Sequence, residues 1–144
     1  MLFGMPVADE PLDVLLGRAL RQLRHQWGAG VGEVDLAPHQ ARALRIVHED
    51  GPLRLSELAR RLRIVPRSAT EVADALQERG LVLRSPDPSD RRATLLEMTE
   101  HGRSVATEVG RMRREQAEAF FGRLSANDRA SLHRILTELL DQGE

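Results

Sequence analysis

The chain has 144 residues, 41% of them hydrophobic and 30% charged, with a net charge of −1 and no cysteine. That length suits one folded unit whose core needs no covalent staple, and the missing cysteine excludes disulfides, thiolate metal sites and thiol redox switches. The near-neutral balance excludes a protein held on nucleic acid by bulk charge, yet all 21 strongly basic residues are arginine, the side chain suited to bidentate phosphate and base-edge contacts.

Leu12, Leu15, Leu16, Leu20, Leu23 and Trp27 recur at helical spacing, with Arg18, Arg21 and Arg24 largely off that stripe. They predict an amphipathic helix of about four turns, ended by Gly28-Ala-Gly-Val-Gly32. A second helix is expected to open near Pro38 and to stop before Gly51-Pro52, because proline at a first helical position wastes no N–H. Leu53-Arg-Leu55 reads as a short strand and Ser56 as the N-cap of a helix that buries Leu58, Ala59 and Leu62. Arg63-Ile64-Val65 makes a turn. Pro66 starts the following helix, with Ala69, Val72, Ala73 and Leu76 inward, and Gly80 ends it in the left-handed conformation.

Beyond that cap the pattern becomes strand, loop, strand. Leu81–Arg84 and Thr94–Met98 are the expected strands, and Ser85-Pro-Asp-Pro-Ser-Asp-Arg-Arg-Ala93 is the loop, stiffened by two prolines. Thr99 is the expected N-cap of a long helix, 100–123. Ser125, with Asp128 three residues later, should open a last helix through Leu132, Ile135, Leu136, Leu139 and Leu140. The fold class is therefore mainly α (α+β): a helix-turn-helix and an arginine-bearing hairpin between long terminal helices. Residues 53–98 carry nine Arg against seven Asp and Glu, while the segments on either side are acidic.

The segment Leu53–Gly102 resembles the DNA-binding core of the MarR family of bacterial transcriptional regulators, whose wing typically reads D-P-x-D-R-R-A. The resemblance is carried by Ala69–Leu83 (A-T-E-V-A-D-A-L-Q-E-R-G-L-V-L), by Asp87–Ala93 and by Thr99-x-x-Gly102. It implies a single MarR-type domain over 1–144, with dimerisation helices at 12–50 and 100–142 and a winged helix-turn-helix lobe at 53–98. The apolar stripes of the first and last helices independently favour packing against a second copy.

In such a lobe the second helix enters the major groove with its N-terminal residues against base edges. With Ala69, Val72 and Ala73 inward, Arg67, Ser68, Thr70 and Glu71 face DNA. Arg67 suits guanine or a phosphate. Glu71, which only accepts, suits the cytosine amino group or pairs with Arg67 four residues earlier. In the wing, Arg91 and Arg92 alternate in direction, so that one reaches a narrow minor groove while the other folds back. Asp90 is suited to bracing an arginine, and the resemblance implies Arg92 more than Arg91 as the inserting residue. Arg54 and Ser56 complete the expected DNA-binding set, Ser56 through backbone N–H groups offered to a phosphate.

Two such heads about a dyad require double-stranded DNA with a palindromic operator, its half-sites about one helical turn apart. The resemblance also implies a small aromatic or phenolic effector between dimer helices and lobes, with Trp27 as a candidate contact. The five histidines lack i, i+4 pairing with one another, so no metal is expected, and no cofactor. No glycine-rich phosphate loop, G-x-S-x-G or H-E-x-x-H is present, and an enzyme is not expected. No run approaches the ~18 apolar residues of a membrane span, nor does the N-terminus resemble a signal peptide, so a cytoplasmic protein without membrane contact is expected. A ligand-responsive repressor acting as a homodimer is the leading reading. A winged helix used only for protein contact is the alternative.

Overall fold

The computed structural model describes the backbone of residues 10–31 and 36–141, and the side chains of 10–26 and 36–141. Within it the chain runs α1 (Leu12–Val31), α2 (Pro38–Asp50), β1 (Leu53–Arg54), α3 (Leu55–Leu62), α4 (Pro66–Glu78), β2 (Val82–Asp87), β3 (Asp90–Met98), α5 (Glu100–Phe121) and α6 (Ala126–Asp141). The fold is mainly α, with one antiparallel sheet in the order β1-β3-β2. The core lies where α2, α3 and α4 meet that sheet and α5. Leu44, Leu58, Leu76, Leu81 and Leu96 are its largest fully buried side chains.

The helix-turn-helix follows its sequence closely. Pro66 occupies the first turn of α4, and Ala69, Val72, Ala73 and Leu76 are its buried residues, as the 3.6-residue period requires. The helix ends in a Schellman motif: the Gly80 N–H donates to the Gln77 carbonyl at 2.9 Å and the Leu81 N–H to the Leu76 carbonyl at 3.0 Å. Gly80 adopts φ +72° there, a conformation costly for any residue with a β-carbon. At Thr99 the hydroxyl accepts from the Gly102 N–H at 2.8 Å and caps α5 as expected.

Three boundaries differ from expectation. Helix α1 continues through Gly28-Ala-Gly to Val31, because glycine weakens a helix by about 1 kcal/mol relative to alanine but, unlike proline, removes no hydrogen bond. Ser56 is not an N-cap. The chain leaves β1 directly into α3, so that Arg54 is the cap residue, without a side-chain capping bond. The expected loop 85–93 is mostly strand. β2 and β3 pair as far as Asp87↔Asp90, leaving only Pro88 and Ser89 in the turn. Pro86 fits because β2 is an edge strand of the sheet.

Candidate nucleic-acid interface

The beginning of α4 is exposed, and α4 is joined to β2 of the hairpin through Arg84. Arg67, Thr70 and Glu71 are exposed, and Ser68 is half-buried. Ser68 lines a groove of about 720 Å³ with Pro38, Gln40, Ile64 and Glu71, so part of it faces α2 rather than open solvent. The Thr70 hydroxyl donates to the Pro66 carbonyl at 3.1 Å. Its proton is therefore engaged within the helix, and only its lone pairs are open to an outside donor. Arg67 and Glu71 form the i, i+4 pair at 3.6 Å, so of the two roles open to Glu71 the intrahelical one is present in the free protein. At 91% and 68% side-chain exposure the pair is loose enough to exchange for other partners.

Arg91 and Arg92 are both exposed at the start of β3. Among the described residues neither guanidinium has a hydrogen-bond or ion-pair partner. The expected brace differs from what is found. Asp90 accepts from the backbone N–H of Arg92 at 3.0 Å and not from a wing guanidinium. The carboxylate that grips an arginine is Asp87, which is 7% exposed and accepts from Arg54 Nε at 2.7 Å. Asp87 also accepts from the Ser89 N–H at 2.9 Å and from the Ser89 hydroxyl at 2.8 Å. The Ser89 N–H, the Ser89 hydroxyl and then Arg54 hold its carboxyl below the usual aspartate range, outweighing desolvation.

Other arginines of this lobe are internally engaged. Arg84 of β2 reaches back to α4, pairing with Asp74 at 2.6 Å and donating to Gln77 Oε1 at 2.9 Å and to the Thr70 carbonyl at 3.3 Å. Arg60 pairs with Glu57 and Arg61 with Asp50. The Arg84 and Arg61 links tie neighbouring elements together and the Arg60 pair stays within α3, whereas the wing-tip arginines are open among the described residues. Sequence reasoning missed Asp87 as the anchor, although Asp-Pro-Ser carries the signal of an Asx turn, in which an aspartate accepts from the backbone two residues on.

Trp27 falls within α1, but its side chain lies outside the described residues. Among the described residues no group of three His, Cys, Asp or Glu is arranged to hold a metal ion, and no helix is long and apolar enough to cross a membrane.

The comparisons agree with this geometry. Residues 36–94 match the model of the MarR family. The chain is 26% identical to the HTH-type transcriptional repressor NicR of Pseudomonas putida, over 96% of this chain and 92% of that protein. Its fold is similar to apo MarR from E. coli, with TM-score 0.81 and 21% identity over 91% of this chain and 98% of that one. It is also similar to the Mycobacterium tuberculosis MarR family protein Rv2887 in complex with p-aminosalicylic acid, with TM-score 0.73 and 26% identity over 90% and 98% of the two chains. With two short helices, a hairpin and flanking long helices, residues 36–94 match the MarR family, and the chain as a whole is similar to helix-turn-helix transcriptional regulators of that family.

Proposed function

We propose that the chain is a cytoplasmic, ligand-responsive repressor, and not an enzyme, that binds an inverted-repeat operator in double-stranded DNA as a homodimer. The observation that carries the reading is the pair of exposed arginines, Arg91 and Arg92, unpartnered among the described residues, on a pinned hairpin that Arg84 ties to α4. Arg67, Ser68, Thr70 and Glu71 read the major groove, and a wing arginine enters the minor groove, Arg92 before Arg91. The first turn of α3, at Ser56, has backbone N–H groups without a side-chain cap and takes a phosphate. A protein-docking wing would instead present apolar side chains.

The dimer is supported by α1 and α6. Leu12 is 84% exposed, Leu139 64% and Leu140 74%, and α6 has no buried residue. Leucine stripes this open on two adjacent long helices favour a second copy of the same chain as their cover. The dimerisation helices are then 12–50 and 100–142, with the DNA-binding lobe at 53–98.

An effector site is supported by a cavity of about 260 Å³ between α2 and α5, lined by Arg45, His48, Glu49, Arg113 and Arg114 among others. Burial and then repulsion from Arg45 push the Arg113 guanidinium below its usual range, Glu49 opposing, so a small anion entering there relieves charge repulsion. Rv2887, whose complex with p-aminosalicylic acid is similar in fold, points to an aromatic carboxylate as a first probe. Such a ligand acts only through its different affinities for the DNA-bound and free states.

The test is a gel shift of the purified protein on inverted repeats from upstream of its own coding region, at stated salt. A shift that scrambled competitor does not remove, and that p-aminosalicylate reverses, is expected. Equal binding to scrambled DNA across the salt range overturns operator recognition.

A further inference from the structure

Arg54 was expected to meet DNA directly, and its surroundings point elsewhere. It is the cap residue of α3 and the last residue of β1, paired in register with Leu95 of β3. From that joint its Nε donates to Asp87 at 2.7 Å, and its terminal nitrogen lies 3.4 Å from the Ser89 hydroxyl. Asp87 stands opposite Asp90 at the end of the hairpin, and Asp90 in turn holds the backbone N–H of Arg92. A continuous set of contacts thus runs from the start of α3 to the backbone that carries the exposed arginines.

Two of the three donors to Asp87 come from Ser89, within the turn itself. Among the described residues only Arg54 comes from outside the hairpin, 33 residues away in sequence. A buried carboxylate is costly unless its lone pairs are met, and removing one charged donor costs more than an ordinary hydrogen bond. The local turn therefore forms by itself, while the tilt of the wing tip relative to α3 depends on Arg54. The exposed tip has little else to fix it: Pro88, Ser89, Asp90, Arg91 and Arg92 are all exposed.

We infer that Arg54 is a positioning residue, which through Asp87 and Ser89 sets the attitude of the wing to the helix-turn-helix and so presents Arg91 and Arg92 at the depth that operator binding needs. The inference rests on the proposed wing contact with DNA. It assigns to Arg54 a different role from that of a phosphate ligand, and lysine cannot replace it, because the two contacts require the planar fork of a guanidinium.

The experiment uses the full chain and a labelled inverted-repeat duplex selected by the protein from random sequence, with Kd read by fluorescence anisotropy. The double variant Arg91→Ala/Arg92→Ala establishes whether the wing binds at all, and a Kd unchanged there ends the wing reading itself. Given a loss, Arg54→Gln, Arg54→Lys and Asp87→Asn should each weaken binding about tenfold in the wild-type wing, and Arg54→Gln should add less than twofold when Arg91 and Arg92 are already alanine. A further tenfold loss in that background, or full rescue by Arg54→Lys, makes Arg54 a direct phosphate contact and overturns the inference. Amide exchange supplies a second readout. Arg54→Gln should speed exchange at Ser89 and Arg92 while leaving Leu76 and Leu96 protected. Unchanged exchange at the wing overturns the inference, and loss at all four positions does so as well by showing a general unfolding.

Discussion

Gly102 lies so close to Leu81 that a β-carbon added to it would stand 1.9 Å from the Leu81 carbonyl oxygen. The same oxygen accepts from the Thr99 N–H at 3.1 Å. The start of the long helix α5 is therefore seated directly on the backbone that leads into the wing. Gly102→Ala should destabilise the protein by roughly 3 kcal/mol, the upper part of the range for overpacking, since backbone and not a flexible side chain must yield. Urea denaturation, with an unchanged m-value and a lowered midpoint, is the measurement.

Thr99 holds that seat from the other side. Its hydroxyl accepts from the Gly102 N–H and lies 2.6 Å from the Gly80 carbonyl. Thr99→Ala should cost about 1–2 kcal/mol as a lost N-cap, and Thr99→Ser should recover most of it. Equal stabilities of the two variants would show that the hydroxyl is idle.

At Glu71 the expected outcome separates affinity from stability. The Arg67–Glu71 pair is too exposed to contribute more than a few tenths of a kcal/mol, so Glu71→Ala should leave Tm nearly unchanged. Its effect belongs on base preference, at one position in each half-site, where cytosine should lose its advantage. A selection experiment returning the wild-type preference at every position would leave Glu71 only its intrahelical partner.

Acid sensitivity should trace to Asp87. Its carboxyl is held below the usual aspartate range, chiefly by Ser89 and then by Arg54. A depressed folded-state value means that the stabilisation is fully present above the unfolded value, ~3.9 for aspartate, and is lost as pH falls through the folded one. Asp87→Asn should therefore lower Tm at neutral pH, and the gap to wild type should close below about pH 4. A gap independent of pH would point to packing and not charge.

The terminal helices allow a direct test of the dimer. Leu139→Arg and Leu140→Arg change residues that are 64% and 74% exposed in the single chain, so they should not disturb its fold. Sedimentation should nevertheless move from dimer to monomer, and operator affinity should fall with it.

What could be read from the sequence was local. The buried face of α4, the turn at Arg63, the left-handed Gly80 and the Thr99 cap each follow from residues within a few positions of one another. The links that shape the wing are not local. Arg54 meets Asp87 and Arg84 meets Asp74 only after the register β1-β3-β2 is set, and no spacing rule announces such pairings. The choice between Asp87 and Asp90 as the anchor likewise turned on which one the hairpin buries. Ser56 was misread because the chain passes straight from a two-residue strand into α3, so that the helix starts two residues earlier than expected.

Pro86 has a consequence for life at high local concentration. It sits in β2, the outer margin of the three-stranded sheet, opposite Thr94. Having no amide hydrogen, it breaks the row of donors along which a stray strand would zip. A second copy approaching wing to wing would thus meet a margin with one donor missing, a poor template for joining two sheets.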